Sequence, residues 1–341
     1  MNAAITGGTG FLGAAMLRLL RPKENAIRAL VRRSEDEARM RCLGVEPVRG
    51  DLTVPGDCDQ LVHTGDVVFH AAARVDIVGR WADFRETTVE GTRRLLEAAL
   101  PRNPRRFVYI SSGAVYSPLH IRGAIAADKT PTGPPKYNYY GRAKLQAENL
   151  VRAECTRKGC PWTIVRLGFL YGPGNRAVLQ HLAPMLERGR LFLIGDGTNR
   201  IATLYVDDAA RAVLLAGTHP AAVDKIYDVA SDEPVTQREF LAAAAAALGL
   251  PRPRRRVGRR LADLAGCLAD GLAKLPGCHP PFTRAIITLM GTDQVVDAAR
   301  IREELGWRPE VRFADGIEQM RRWHEQIKGD PNGDDAGRNR P

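Results

Sequence analysis

Residues 2–6 (NAAIT) make a short unbroken apolar run, and a glycine-rich turn, TGGTGFLG, follows directly. Apolar residues then recur at Phe11, Leu12, Ala15, Met16, Leu19 and Leu20, the spacing of a helix that ends before Pro22. Further strands are predicted at about 26–31 and 45–48, in DVVFHAAA from Asp66, in RFVYIS from Arg106 and in WTIVRL from Trp162. Between them, Ser34 and Glu37 read as a capping box opening a helix that stops near Gly44. Long helices are predicted at about 82–100 and 139–157. Strands alternating with helices predict an α/β fold with a doubly wound parallel sheet. After Leu167 the texture changes. Gly and Pro punctuate GFLYGPGN, a helix is predicted near 178–188, and LFLIGDGTNR follows. Strand and helix return in ATLYVDDAARAVLLA and KIYDVAS, and Thr236 with Glu239 caps an alanine-rich helix ending at Gly249. The remainder reads as mostly helical apart from PRPRRR, and residues 328–341 lack apolar periodicity and are expected to be disordered.

With 341 residues, 44% hydrophobic and 26% charged, the composition is that of a globular chain of one or two domains. No run approaches the roughly 18 apolar residues that span a bilayer. A strand at the very start leaves no room for a cleavable signal, so a cytoplasmic location is expected. The formal charge of +11 favours anionic partners, and six arginines crowd together at Arg252, Arg254, Arg255, Arg256, Arg259 and Arg260. Aromatic residues make up only 6% and do not interleave with these arginines, which argues against nucleic acid. Beside them, Leu261, Leu264, Leu268, Leu272 and Leu275 form an apolar stripe. At that spacing it is expected to wall a pocket or the core, with peripheral membrane contact as the alternative. The six cysteines show neither CxxC nor zinc spacing, so reduced structural thiols and no metal are expected.

The glycine turn changes the picture. Gly7, Gly10 and Gly13 lie between a strand and a helix, where they allow a tight turn, close backbone approach to a pyrophosphate and close helix–strand packing. A helix N-terminus there offers unpaired N–H groups to phosphate. The fold class sharpens to a Rossmann sheet with a smaller, mostly helical C-terminal substrate-binding region. The dinucleotide-binding part is expected to cover 1–168, with 202–230 returning to it, and the substrate part 169–201 and 231–327. The second strand ends on Leu30 and Val31, without the acid that would hold a bare ribose, and Arg32 and Arg33 follow. NADP is therefore expected, with NAD possible. Asp51 in GDL is placed to reach the adenine edge or to cap the next turn.

Ser111 and Ser112 end the fifth strand, whose carboxyl end should face the ligand crevice. Tyr140 and Lys144 are four apart on a helix and share a face, whereas the partners of Tyr139 and Tyr137 at that spacing are Ala143 and Gly141. An ammonium beside Tyr140 would lower its pKa and make it a competent acid or base, and a serine hydroxyl can hold the reacting oxygen.

In this order, TGGTGFLG, GDL, HAAA, SSGAVYS, YYGRAK, VRLGFLYGPG and YVDDAARA resemble an extended short-chain dehydrogenase/reductase over residues 1–327. The resemblance implies Tyr140 as general acid/base, Lys144 on the nicotinamide ribose and Ser112, four residues before the tyrosine of VYS, orienting the substrate oxygen. It further implies cofactor contacts at Gly7, Gly10, Phe11, Leu12, Gly13, Asp51, Leu52, Ala71 and Ala72. Thr88 stands where such proteins usually carry asparagine, which weakens any asparagine-assisted proton relay. RGRLFLIGDGTNRIATLYVDDAA and the segment from Leu261 to Ile286 resemble the 3β-hydroxysteroid dehydrogenase-like branch. That branch interconverts a secondary alcohol and a ketone on an apolar small molecule; nucleotide-sugar epimerases are the runner-up. In the sugar-nucleotide branch an arginine four residues after the second Gly of the GxG turn grips the diphosphate; counting from Gly197 lands on Ile201, with Arg200 one place early. An isoleucine wall would favour a ring or acyl chain. A homodimer is left open.

Overall fold

The chain opens with buried, β-branched and small apolar residues, and these make the strands of the central sheet. The computed structural model describes residues 1–20, 25–76, 79–117, 123–127, 129–176, 178–273 and 282–329. Strand β1 (Ala3–Thr6), helix α1 (Phe11–Leu20), β2 (Ile27–Val31), α2 (Ser34–Cys42), β3 (Glu46–Arg49) and β4 (Val67–His70) form the first half. A short α3 (Trp81–Phe84), a π-helical stretch at Arg85–Glu90, α4 (Gly91–Ala99), β5 (Arg106–Ser112), α5 (Tyr139–Lys158) and β6 (Trp162–Leu167) follow. The one long helix expected at 82–100 is thus divided. Thr88 sits in that irregular stretch, and the hydroxyl of Thr92, in the first turn of α4, donates to the Thr88 carbonyl.

Past β6 come β7 (Phe169–Tyr171), a π-helical stretch at Val178–Leu182, α6 (Ala183–Glu187), β8 (Phe192–Ile194), β9 (Arg200–Ile201), β10 (Thr203–Tyr205), α7 (Val206–Thr218) and β11 (Lys225–Val229). The last elements are β12 (Val235–Thr236), α8 (Gln237–Ala247), β13 (Arg255–Val257), α9 (Arg259–Leu272), α10 (Arg284–Gly291), α11 (Ala299–Leu305) and α12 (Phe313–Gly329). Seven parallel strands make one sheet in the order β11-β6-β5-β4-β1-β2-β3. The order reverses between β1 and β4, so the ligand crevice is expected at the carboxyl ends of these two strands. One core layer packs α1, α7 and α11 against the sheet, and a second packs α4 and α5 on the opposite face. Smaller pairs, β10 with β7, β12 with β9 and β13 with β8, build the region beside the crevice.

Several local expectations change. Arg33, not Ser34, caps α2 and makes no side-chain cap bond, so the capping box is absent. Glu37 instead pairs with Arg41 and Arg49, because the start of α2 is already exposed and these guanidinia are within 3.3 Å. Thr236 and Glu239 do form theirs. The PRPRRR segment contributes β13, paired with β8. α12 runs through Lys328 to Gly329, its apolar face closing on α8, and residues 330–341 of the expected tail lie outside the described residues. The leucine stripe is the largest correction. Leu261, Leu264, Leu268 and Leu272 stand in solvent, while Ala262, Gly266 and Ala269 make the inner face. Small residues win that face because α10 approaches closely: a Cβ on Gly266 would lie 2.9 Å from Arg284 Cα. Leu275 lies outside the described residues.

Candidate active site

A cleft of about 2330 Å³ opens at the sheet's carboxyl edge. Sites for drug-sized ligands are roughly 300–1,000 Å³, so this volume accommodates a dinucleotide and a second molecule. At its β1 end Gly7 takes φ +74°, and a Cβ there would meet the Ala72 nitrogen at 2.8 Å. A Cβ on Gly13 would lie 2.1 Å from the Gly7 carbonyl oxygen, so no other residue lets α1 pack this closely on the turn. The Gly10 N–H donates to the Gly7 carbonyl, and the first bond of α1 runs from Ala14 N–H to the Gly10 carbonyl. Phe11, Leu12 and Gly13 therefore present N–H groups without helical partners to the cleft they line. Ala71, Ala72 and Leu52 line the same wall. The cradle fits a pyrophosphate, with the positive end of α1 behind it.

At the adenosine end, Arg32 and Arg33 reach the cleft from the end of β2. Arg32 is largely exposed, 3.8 Å from Asp51, and Arg33 lies 3.9 Å from Glu35. Asp51 does cap the next turn: Oδ1 accepts from the Thr53 N–H and hydroxyl at 2.8 and 2.9 Å. It also lines the cleft.

The catalytic candidates converge at the end of β5. Asn138 caps α5 by accepting from the Gly141 N–H at 2.9 Å, and its amide donates to the Ala114 carbonyl at 3.2 Å. A Cβ on Gly141 would sit 2.1 Å from that carbonyl oxygen. This close approach brings Tyr140 beside Ser112 at the cleft, where the serine hydroxyl works against burial and lowers the Tyr140 pKa. Sequence reasoning gave Asn138 and Gly141 no part in positioning the site; a glycine immediately after the tyrosine pair was the available signal. Ser111 is buried beside Ser112, and its hydroxyl has no hydrogen-bond partner among the described residues. The other tyrosines are occupied: Tyr139 packs on Trp81 and Phe84, and the Tyr137 hydroxyl meets Thr288 Oγ1 at 3.2 Å.

Lys144 corrects one expectation. Its Nζ donates to the Ile110 carbonyl at 2.6 Å and stands 4.9 Å from the centre of the Tyr109 ring. Anchored there, it does not depress Tyr140. Burial raises the Tyr140 pKa and the Ser112 bond draws it back. Burial also lowers Lys144 to about 7, against the pull of Glu148 one turn away. Beneath the lysine, Arg166 Nε and a terminal nitrogen donate to the two oxygens of Glu148 at 2.9 and 2.6 Å. The other terminal nitrogen donates to the Tyr116 hydroxyl, which donates to Asp228. Local pattern carries no signal of this network, whose members lie on β6, β11, α5 and the turn after β5.

His70 of HAAA is also a residue the sequence left without a role. Its Nδ1 lies 2.7 Å from Thr6 Oγ1 and its Nε2 2.8 Å from Thr92 Oγ1. The Thr92 proton is committed to the Thr88 carbonyl, so Nε2 carries the ring proton and donates, while Nδ1 accepts from Thr6. Thr6 Oγ1 in turn accepts from the Ala72 N–H, and Thr88 Oγ1 accepts from the Arg74 N–H, both at 3.3 Å. The neutral ring thus ties β1 to the cofactor wall. Burial, then the Lys144 charge, lowers its pKa to about 3. A histidine held neutral in the fold but protonated when unfolded stabilises above its unfolded pKa, near 6.5, and that stability is lost as pH falls toward 3. The melting temperature is expected to drop across this window, and to drop less in His70→Asn; equal slopes would exclude this source.

At the far end of the cleft the lining turns apolar, with Met185, Phe192, Phe240, Phe282, Ile286 and Met290. Ile201 is not part of that wall: it is buried in the core with Tyr171, Leu193 and Phe240, and its neighbour Ala202 lines the cleft. Arg200 points the other way along β9 and pairs with Asp293, its Nε 2.9 Å from Oδ1. One place in a strand reverses the face.

A seven-stranded parallel sheet, a glycine cradle at its switch point and a serine–tyrosine–lysine group at the next strand end define a nicotinamide-dependent enzyme of the short-chain dehydrogenase/reductase type. The chain belongs to the NAD dependent epimerase/dehydratase family, whose model matches residues 3–230. It is similar to the 2-alkyl-3-oxoalkanoate reductase of Stenotrophomonas maltophilia, 30% identical and covering 94% of this chain and 98% of that protein. It is also similar to a decarboxylating sterol-4-alpha-carboxylate 3-dehydrogenase of Schizosaccharomyces pombe, at 28% identity over 96% of this chain and 99% of the relative. Such relatives put it among extended short-chain dehydrogenases/reductases of the 3β-hydroxysteroid dehydrogenase-like branch. Among solved structures, UDP-glucuronic acid 4-epimerase from Bacillus cereus, in complex with UDP-glucuronic acid and NAD, superposes with a TM-score of 0.73. It is 20% identical, with 96% of this chain and all of that one covered, a likeness of fold alone. Among the described residues no helix is long and apolar enough to cross a membrane.

Proposed function

We propose that this protein interconverts a secondary alcohol and a ketone on a substrate with a large apolar body, using NADP(H) in preference to NAD(H). The observation that carries the reading is that Ser112 and Tyr140 line one cleft together with the glycine cradle and an apolar wall. Residues 1–168 with 202–230 hold the dinucleotide, and 169–201 with 231–327 hold the substrate. The nicotinamide, when bound, supplies or takes the hydride. Tyr140 exchanges the proton of the substrate oxygen, Ser112 holds that oxygen, and the Lys144 ammonium holds the adjoining ribose. Both relatives' names describe a carboxylate on the carbon next to the reacting one. A 3-oxo acid with a bulky chain or ring is accordingly the first class to test here, and Arg74, a cleft-lining cation, would exchange its Asp76 partner at 2.7 Å for the substrate carboxylate. Arg200, turned away onto Asp293, leaves a sugar-nucleotide diphosphate without that partner.

Thermal-shift and absorbance screens with both nicotinamides should show stabilisation and turnover with hydrophobic ketones or 3-oxo acids, and no shift with UDP- or dTDP-sugars. A clear shift with UDP alone would favour an epimerase instead.

The cofactor preference rests on two guanidinia and on no acid at the end of β2. The exposed Arg32–Asp51 pair is weak, so the guanidinium is free to turn to a 2′-phosphate. Losing a charge-assisted phosphate contact costs about 1.5–3 kcal/mol, roughly ten- to hundredfold in affinity. An Arg32→Ala, Arg33→Ala variant should lose NADPH affinity by that factor in a fluorescence titration and hardly change for NADH. Equal affinity of the parent for both would refute the preference.

A further inference from the structure

We propose that α9 and the arginine-rich strand leading into it dock on an anionic lipid surface. Four leucines, Leu261, Leu264, Leu268 and Leu272, stand 61, 57, 62 and 49% exposed along one face of α9. Isolated exposed leucines are ordinary, but a continuous stripe of them on one helix is not. The same face carries exposed Cys267 and Arg260 and no acid. Both acids of α9 are drawn to other partners: Asp263 to Arg259, and Asp270 to the Arg284 N–H.

Charge selects the occupant. Among the described residues, Arg259 is the one of the six clustered arginines whose side chain bonds within the fold, donating to Asp263 and to the Gly291 carbonyl. Arg252, Arg254, Arg255, Arg256 and Arg260 are exposed and form no ion pair among the described residues. β13 leads through Gly258 into α9, so these cations gather at the helix's N-terminal end, beside the leucines. An amphipathic helix with leucines on its outer face and arginines at its edge lies in the interface of a membrane carrying negative headgroups. A second copy of the chain would have to bring two molecules of +11 charge together, which opposes it. Nucleic acid would answer the arginines and leave the leucines in water.

The placement suits an apolar substrate without depending on that reading. The opposite side of α9 contributes Asp270 and Ala273 to the cleft, and α10, packed on it, contributes Ile286 and Met290. Docking would set the bilayer one helix thickness from the apolar wall.

The test uses the full chain and vesicles of phosphatidylcholine alone or mixed with phosphatidylglycerol, followed by co-sedimentation. Binding is expected to the anionic vesicles only, weakening with salt. Each cation near such a surface contributes about fivefold, so Arg254→Gln, Arg255→Gln, Arg256→Gln together should lower partitioning roughly a hundredfold. Leu264→Ser with Leu268→Ser should lower it at least about tenfold at any salt, with dinucleotide affinity and far-ultraviolet dichroism unchanged. A polarity-sensitive dye on Cys267, in a Cys42→Ser, Cys278→Ser background, should shift to the blue with anionic vesicles; the same dye on Cys42, in a Cys267→Ser, Cys278→Ser background, should not. Binding that survives loss of the leucines but not of the arginines would overturn docking through α9, as would tighter binding to DNA than to vesicles. Absence of vesicle binding, or a dimer that Leu264→Ser dissociates, would overturn it as well.

Discussion

Replacing Tyr140 with phenylalanine should leave dinucleotide affinity nearly intact and cut turnover at least about a hundredfold. The change removes one oxygen. The ring keeps its packing beside Phe84, Val89 and Ala143. Lys144 is anchored on the Ile110 carbonyl rather than on the phenol, so the cofactor side of the site keeps its shape. Ser112 still accepts from the Ala114 N–H at 3.2 Å and remains in place. What is lost is the group proposed to exchange a proton with the substrate oxygen. Turnover followed at the reduced-cofactor absorbance, beside a cofactor titration, separates the two effects. Near-normal turnover would remove Tyr140 from the proposed chemistry.

Glu148→Ala should be the most damaging single change to stability. Glu148 and Arg166 are 1 and 4% exposed, and Glu148 accepts both Arg166 donors that do not reach Tyr116. Removing one partner of such a pair leaves a buried charge uncompensated, at a cost of about 3–5 kcal/mol. Denaturant unfolding should show this loss, and Glu148→Gln a smaller one, since its amide oxygen can still accept. The glutamine variant also probes the lysine. The Glu148 charge raises the pKa of Lys144, so neutralising it should move Lys144 below about 7. In the proposed chemistry Lys144 acts charged, so activity should fall at a lower pH in Glu148→Gln than in the parent. An unchanged pH profile would show that the network acts on structure alone.

The strand–helix alternation, the glycine cradle and the Ser112, Tyr140 and Lys144 triplet were legible because each rests on local spacing. A helix brings residues four apart to one face, and an apolar run ending on a turn marks a strand's end. Lys144 shows where such reasoning stops. Spacing places it beside Tyr140; it does not reveal that the Ile110 carbonyl, 34 residues away, takes its ammonium. His70 likewise depends on Thr6 and Thr92, 64 and 22 residues distant. Arg200 and Ile201 differ by one step along a strand, and the partner strand and Asp293 decide which of them enters the core and which turns outward.

Helix α9 gives the sharpest division. By itself the sequence determined that Leu261, Leu264, Leu268 and Leu272 share one face and that arginines stand next to them, because 3.6 residues per turn requires it. It left open which face the fold would cover. The tertiary structure decided that, by packing α10 against Gly266 and its small neighbours: backbones approach most closely where side chains are absent, and the leucines are left to water.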